Sequence, residues 1–279
     1  MSARLESQRA LVIGGGSGIG RGSARLLAAD GAHVTIAGRT RETLEAAAVD
    51  LSRDGLDVSW VVCDALDPAS VRAAVAAASL DGHLDIAVVV PGGGSITSVL
   101  LIDDDEFSRQ VDLNIRPVFL TLKYAGQAMV RNGSGSFIAI SSTAAEFSTR
   151  YLSSYAAGKA AVDQLVRVAA DELGELDVRV NSVRPGLTRT AATAGAFADP
   201  SMLEAFLSGQ PIARPGAVRD VAAAVRFLAG PESSWVTGQH LNVDGGHTLR
   251  AFVNYGELLD LPDVRQQILN NDADIGGHR

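Results

Sequence analysis

The chain has 279 residues, a net charge of −8, 47% hydrophobic and 20% charged residues, and only 5% aromatics. An acidic chain with no basic surplus is poorly suited to nucleic-acid phosphates or anionic lipid. No apolar stretch approaches the roughly 20 residues that span a bilayer, and the run ending at Gly14 is too short for a secretory h-region. The one cysteine, Cys63, cannot form an internal disulfide, in keeping with an expected cytoplasmic location.

Short β-branched runs alternate with alanine-rich stretches of helical length, the pattern of βαβ units and a parallel sheet. Strands are predicted near Ala10–Ile13, His33–Ala37, Asp57–Val62, Asp85–Val90, Ser136–Ser141, Asp177–Val183 and His240–Val243. Helices are predicted near Gly18–Asp30, Arg41–Arg53, Pro68–Ser79, Asp104–Arg131, Ser154–Leu173 and Ala217–Ala229. Right-handed crossovers make these a single-domain, Rossmann-like doubly wound α/β fold with about seven parallel strands. Residues 187–215 break the alternation, with a short helical pattern at Ser201–Leu207, and a loop of that length in a compact domain is usually functional. No fixed-period repeat or low-complexity linker occurs.

Between the first strand and first helix stands Ile13-Gly14-Gly15-Gly16-Ser17-Gly18-Ile19-Gly20. Glycines there allow positive φ and close approach of backbone to a pyrophosphate, and a helix beginning at Gly18 offers unpaired N–H groups to phosphate. Alone, the cluster reads equally well as a tight turn; its setting favours a dinucleotide. The second strand ends in Gly38-Arg39 rather than an acidic residue. Gly38 leaves room and Arg39 offers a guanidinium fork to a ribose 2′-phosphate, favouring NADP(H) over NAD(H). Arg39 and Arg41 as a solvated loop is the plain alternative, and a turn-forming role is the alternative for Asp64.

Tyr155 and Lys159 lie four residues apart on a predicted helix, hence on one face, and Ser142 follows the preceding strand. An alkoxide left by hydride transfer to a carbonyl must be protonated, and a free phenol near ~10 is a weak acid for that task. An ammonium about 5 Å away at an effective dielectric of ~20 favours phenolate by roughly 3 kcal/mol before desolvation opposes it. Ser142 would hydrogen-bond the carbonyl oxygen as negative charge grows there.

The glycine turn, Ser142 and the Tyr155–Lys159 pair, in this order, resemble the short-chain dehydrogenase/reductase family over roughly residues 7–246, in particular members similar to 3-oxoacyl-ACP reductases. The resemblance implies a cofactor surface made by Gly14, Gly16, Ser17, Gly18, Ile19, Gly20, Arg39, Asp64, Ala65, Pro91, Gly92, Gly93, Tyr155, Lys159, Pro185, Gly186, Thr188 and Thr190. Within it, Asp64 would accept from the adenine amino group and Thr190 would meet the nicotinamide carboxamide. The resemblance also implies Asn114 as a fourth catalytic member; taken alone it reads as a satisfied mid-helix amide. It further implies a homotetramer or homodimer, with the Tyr155 helix and the Asp104–Arg131 helix at an interface; the apolar lid residues at 196, 197, 202, 203, 206 and 207 point to a small or medium hydrophobic ketone, 3-oxoacyl thioester or matching alcohol as the small-molecule substrate. A non-catalytic NADP-binding protein that kept the fold is the rival reading.

Three features depart from the family pattern. Ile13 replaces a threonine, and Val89-Val90-Pro91-Gly92 replaces Asn-Asn-Ala-Gly. Residues 247–279 form an extension of the domain, where Phe252, Tyr255, Leu258, Leu259 and Leu261 are expected to pack on a neighbouring subunit or rim the substrate mouth, ahead of a mobile polar end at Asn270-Asn271-Asp272. Lid residues Ala196, Phe197, Met202, Leu203, Phe206 and Leu207 read equally as a substrate wall or as lid core. The five histidines show no metal-ligand spacing, Asp103-Asp104-Asp105-Glu106 reads as a helix cap, and Trp60 and Trp235 read as packing residues.

Overall fold

The computed structural model describes residues 5–250, 258–261 and 263–275. Strands β1 (Arg9–Ile13), β2 (His33–Gly38), β3 (Val58–Val62), β4 (Ile86–Val89), β5 (Gly135–Ile140), β6 (Val178–Pro185) and β7 (His240–Val243) form one sheet in the order β3-β2-β1-β4-β5-β6-β7. Every pairing is parallel. Helices α1 (Gly18–Ala29), α2 (Arg41–Arg53) and α8 (Val218–Ala229) cover one face; α3 (Pro68–Ala78), α4 (Asp104–Asn132) and α5 (Ser153–Gly174) cover the other. All seven strands and six crossover helices thus lie where the hydropathy pattern predicts them.

The period-two alternation of a strand explains how one run serves two cores. On β1, Leu11 and Ile13 join the core under α3, α4 and α5, whereas Ala10 and Val12 join the core under α1, α2 and α8. Each fully buried Leu, Ile or Val contributes about 1.5–3 kcal/mol from lost water contact. Residues 9–13 therefore anchor the first glycine turn to the middle of the sheet.

Local chemistry sets the helix ends. Asp67 accepts from the amides of Ala69 and Ser70 ahead of Pro68 at the first turn of α3. Asp103 does the same for Asp105 and Glu106, so the acidic run caps α4 as its composition predicts. Trp60 packs beneath the Arg41 guanidinium, 5.0 Å from its ring centre. Trp235, expected to pack, is 98% exposed.

Residues 187–215 fold into a short 3-10 turn (Ala191–Thr193), α6 (Ala194–Ala198) and α7 (Pro200–Ser208). Phe206 is the buried residue of α7, and its ring lies 6.0 Å edge-on to that of His247. Residue 247 is thus packed into the lid rather than trailing from the sheet. Further on, Leu258, Leu259 and Leu261 are half-buried, while Phe252 and Tyr255 lie outside the described residues. The polar stretch Asn270-Asn271-Asp272, expected to be mobile, belongs to α9 (Val264–Ile275).

Candidate active site

Strand order reverses between β1 and β4, so the loops leaving their carboxyl ends diverge to opposite faces and open a crevice. Two cavities occupy it. One, of about 280 Å³, is walled by Gly16, Arg39, Asp64 and Ala65 over β1 to β3. The other, of about 540 Å³, is walled by Gly18, Ile19, Gly93, Ser142, Tyr155 and Lys159 over β4 and β5, and reaches Pro185, Gly186, Thr188 and Thr190 after β6. They share Gly14, Ser17, Pro91 and Gly92 and so form one continuous groove. Of the residues expected at the site, Gly20 and Asn114 do not line it.

Gly20 acts from behind the wall. A Cβ there would stand 2.1 Å from the Gly14 carbonyl oxygen, so only glycine lets α1 start this close to β1. Ser17 occupies the cap position of α1 without a side-chain hydrogen bond to the helix, leaving the first amides open to an outside acceptor.

In the smaller cavity two arginines are near at hand and only one is uncommitted. Arg41 pairs with Glu45 at 3.5 Å and stacks on Trp60, whereas Arg39 is exposed, lines the cavity and meets no acidic partner among the described residues. Asp64 accepts the Leu66 amide at 3.0 Å, so the turn-forming role coexists with its place on the groove wall. Thr40, Thr43 and Leu44 line the same cavity and escaped sequence reasoning, since polar and apolar positions at a helix start carry no distinguishing signal.

The larger cavity brings together Ser142, Tyr155 and Lys159, the groups expected to react. Ser142 caps a 3-10 turn and accepts the Ala144 amide at 3.1 Å, which leaves its own proton to donate. It hydrogen-bonds Tyr155, which favours phenolate, but burial of the phenol outweighs this and holds its pKa above the usual value. The Lys159 ammonium lies 5.5 Å from the centre of the Tyr155 ring, and donates to the carbonyls of Pro91 at 2.9 Å and Ile140 at 3.0 Å. Burial lowers its pKa to about 7, against the attraction of Asp163 one turn along α5. The sequence reading expected a phenol made acidic by the ammonium; in the protein itself desolvation dominates both groups.

Where the family pattern has an Asn pair, backbone and Lys159 tie the strand ends in this chain. The Val90 amide donates to Ile13 O at 3.0 Å, so backbone continues the β1–β4 pairing. The lysine then bridges the ends of β4 and β5 through Pro91 and Ile140. Asn114 is fully buried behind Gly92 and donates to Gly93 O at 2.9 Å and Gln110 O at 2.8 Å, while its Oδ1 has no partner among the described residues.

Thr193 was missed, although the T-x-x-T spacing from Thr190 is a helix-start signature. Its hydroxyl donates to Thr188 O at 2.6 Å and lies 3.1 Å from the Thr190 hydroxyl, fixing both threonines of the wall. The lid meets this cavity through Ala191, Ala192 and Thr193. Phe206 belongs to the lid core instead, and Phe197 lies under the Arg189 guanidinium at 4.0 Å.

Comparison with known proteins agrees with this architecture. Residues 14–248 match a family model described as enoyl-(acyl carrier protein) reductase. Galactitol 2-dehydrogenase (L-tagatose-forming) of Cereibacter sphaeroides is 35% identical over 88% of this chain and 97% of its own length. A 3-oxoacyl-(acyl-carrier-protein) reductase of Chlamydia muridarum is 33% identical over 88% of this chain and 99% of its own length. The solved structure of a short-chain type dehydrogenase/reductase from Mycobacterium ulcerans superposes with a TM-score of 0.89 at 39% identity, covering 92% of this chain and 95% of that one. With a matching family model, fold and groove, the chain belongs to the short-chain dehydrogenase/reductase family of oxidoreductases.

Proposed function

We propose that the chain is an NADP(H)-dependent oxidoreductase that interconverts a carbonyl and a secondary alcohol, with residues 1–246 as the catalytic domain and 247–279 as its extension. The observation that carries this reading is the Ser142–Tyr155 hydrogen bond with the Lys159 ammonium 5.5 Å from the same ring, in the groove that begins at the glycine turn.

The groove suits a dinucleotide phosphate. The uncapped start of α1 offers amides to a pyrophosphate, and Arg39, free of acidic partners among the described residues, offers a fork to a 2′-phosphate. Asp64 and Ala65 would flank the adenine, and Thr188, Thr190 and Pro185-Gly186 would border the nicotinamide. A reduced nicotinamide bound there supplies the hydride for a carbonyl carbon. Ser142 donates a hydrogen bond to the carbonyl oxygen, and Tyr155 delivers its phenolic proton to that oxygen; oxidation of the alcohol returns it. In this reading Lys159 and the orphaned Oδ1 of Asn114, both beside Gly92, would return a proton to Tyr155. The glycines at 93 and 94 and the alanines at 191 and 192 leave the substrate wall open, which suits a ketone or 3-oxoacyl thioester. Exposed Phe119 on α4 and Val168 on α5 support assembly as a homodimer or homotetramer through those helices.

The test is NADPH oxidation over a panel of ketones, sugars and oxoacyl thioesters, with Tyr155→Phe as control. Turnover that falls at least about 10²-fold in the variant is expected. Tight NADPH binding with no turnover on the whole panel would instead favour a cofactor-binding protein that has lost its chemistry.

A further inference from the structure

Gln110 lies on α4 one turn before Asn114 and is 1% exposed. A glutamine carboxamide has two acceptor sites and two donors, and here all are used. Oε1 accepts the Ser95 amide at 3.1 Å and the Ser154 hydroxyl at 2.6 Å; Nε2 donates to the Ser95 hydroxyl at 2.6 Å and to Glu106 Oε1 at 2.5 Å. The Ser95 amide can only donate, which fixes the oxygen on that side. The Gln110 carbonyl meanwhile accepts from Asn114 Nδ2.

These bonds join three segments: the loop after β4, the first turn of α5, and the helix carrying Asn114. Ser95 follows Gly93-Gly94, which line the cavity, and Ser154 adjoins Tyr155. We infer that Gln110 is a positioning residue of the proposed reaction, clamping the Gly92–Ser95 loop and the start of α5 so that Tyr155 and Asn114 address the same cleft. This inference rests on the function proposed above.

Replacement by glutamate gives a readout that mere packing would not produce. Gln110→Glu keeps the acceptor for Ser95 and Ser154 but sets a second carboxyl against Glu106 Oε1. The titratable and charged groups around this point are Glu106 and Arg109 on α4 and Tyr155 and Lys159 on α5. Arg109 already binds both Glu106 oxygens, at 2.7 and 2.8 Å, and with the Gln110 amide lowers that carboxyl to about 2. The added carboxyl must therefore take up the proton, and protonated it restores the donor to Glu106. As it ionises the two like charges repel and the clamp opens.

The experiment compares the parent, Gln110→Glu and Gln110→Leu. For Gln110→Glu, kcat/KM relative to the parent should fall at least about tenfold between about pH 6 and pH 9 and recover on acidification, because one carboxyl of a close pair has a strongly raised pKa. Recovery shows that the chain remains folded. Gln110→Leu should be impaired at every pH, with faster amide exchange across residues 93–97 and unchanged exchange in β1. A pH-independent ratio for Gln110→Glu together with parental exchange in Gln110→Leu overturns the inference. If the parent reduces no carbonyl, the functional reading fails by itself, and amide exchange at 93–97 in the two variants still decides whether Gln110 clamps the loop.

Discussion

The two halves of the groove are built on different principles. Around the reactive groups, Lys159, Asn114 and Gln110 are all nearly or fully buried, and each is held by at least two hydrogen bonds. Around the expected adenosine, Arg39 and Asp64 are exposed, and Arg39 has no acidic partner among the described residues. Geometry is over-determined where the proposed proton transfer would occur and left to surface side chains where the proposed nucleotide selection would occur. Substitution at such surface positions usually changes stability by no more than about 0.5 kcal/mol, so preference for a cofactor can alter without disturbing the chemistry.

The sharpest way to break this contrast is Lys159→Met. Activity is expected to fall about 10³-fold, yet the protein should become more stable. Lys159 has its pKa lowered to about 7 from 10.5. Between these values the unfolded chain binds a proton that the folded chain does not, so the parent gains stability as pH rises through that window. The Met variant lacks this cost. Its advantage should be about 2 kcal/mol at neutral pH and below, after allowing for the two carbonyls that lose a donor, and should reverse sign towards high pH, where neutral Lys159 still donates to those carbonyls in the parent. Urea midpoints against pH check the sign; a variant less stable at every pH would show that those two hydrogen bonds outweigh the buried charge.

Gly92→Ala comes next. At φ +119 the new Cβ would stand 2.4 Å from Asn114 Oδ1 and 3.1 Å from Lys159 Nζ. Displacing those groups by even a fraction of an ångström should lower kcat/KM about 10²-fold. The smallest effect belongs to Arg39→Ala. Loss of a charge-assisted contact should weaken NADPH binding about tenfold to a hundredfold while leaving NADH binding and kcat at saturating NADPH unaltered. Equal affinities for the two nucleotides in the parent would remove the basis for that assignment.

Much of this was legible in the sequence because it depends on short-range pattern. Period-two runs such as residues 9–13 had to be buried on both faces, and the turn from Gly14 to Gly20 had to lie where a strand meets a helix. Tyr155 and Lys159 share a face because α5 is a helix. What stayed hidden depends on distant partners. Gln110 reads as one more polar residue on α4 until the fold brings Ser95 and Ser154 to it. The pKa of Lys159 follows from burial between two strand ends, which spacing along a helix does not reveal. Phe206 left both readings of the lid open until His247, from beyond β7, was found packed against it.

All seven strands run the same way, so each crossover helix begins at the rim where its strand ends. A chain that carries −8 overall therefore keeps a local positive spot on that rim at the open start of α1 and at Arg39, while Asp67 and the acidic run from Asp103 to Glu106 offset the starts of α3 and α4. A polyanionic nucleotide approaching from afar meets repulsion, and only within about 8 Å, the screening distance at physiological salt, does the rim prevail. Moderate ionic strength should accordingly speed its arrival while sparing the short-range grip, the reverse of what a uniformly basic binding face would show.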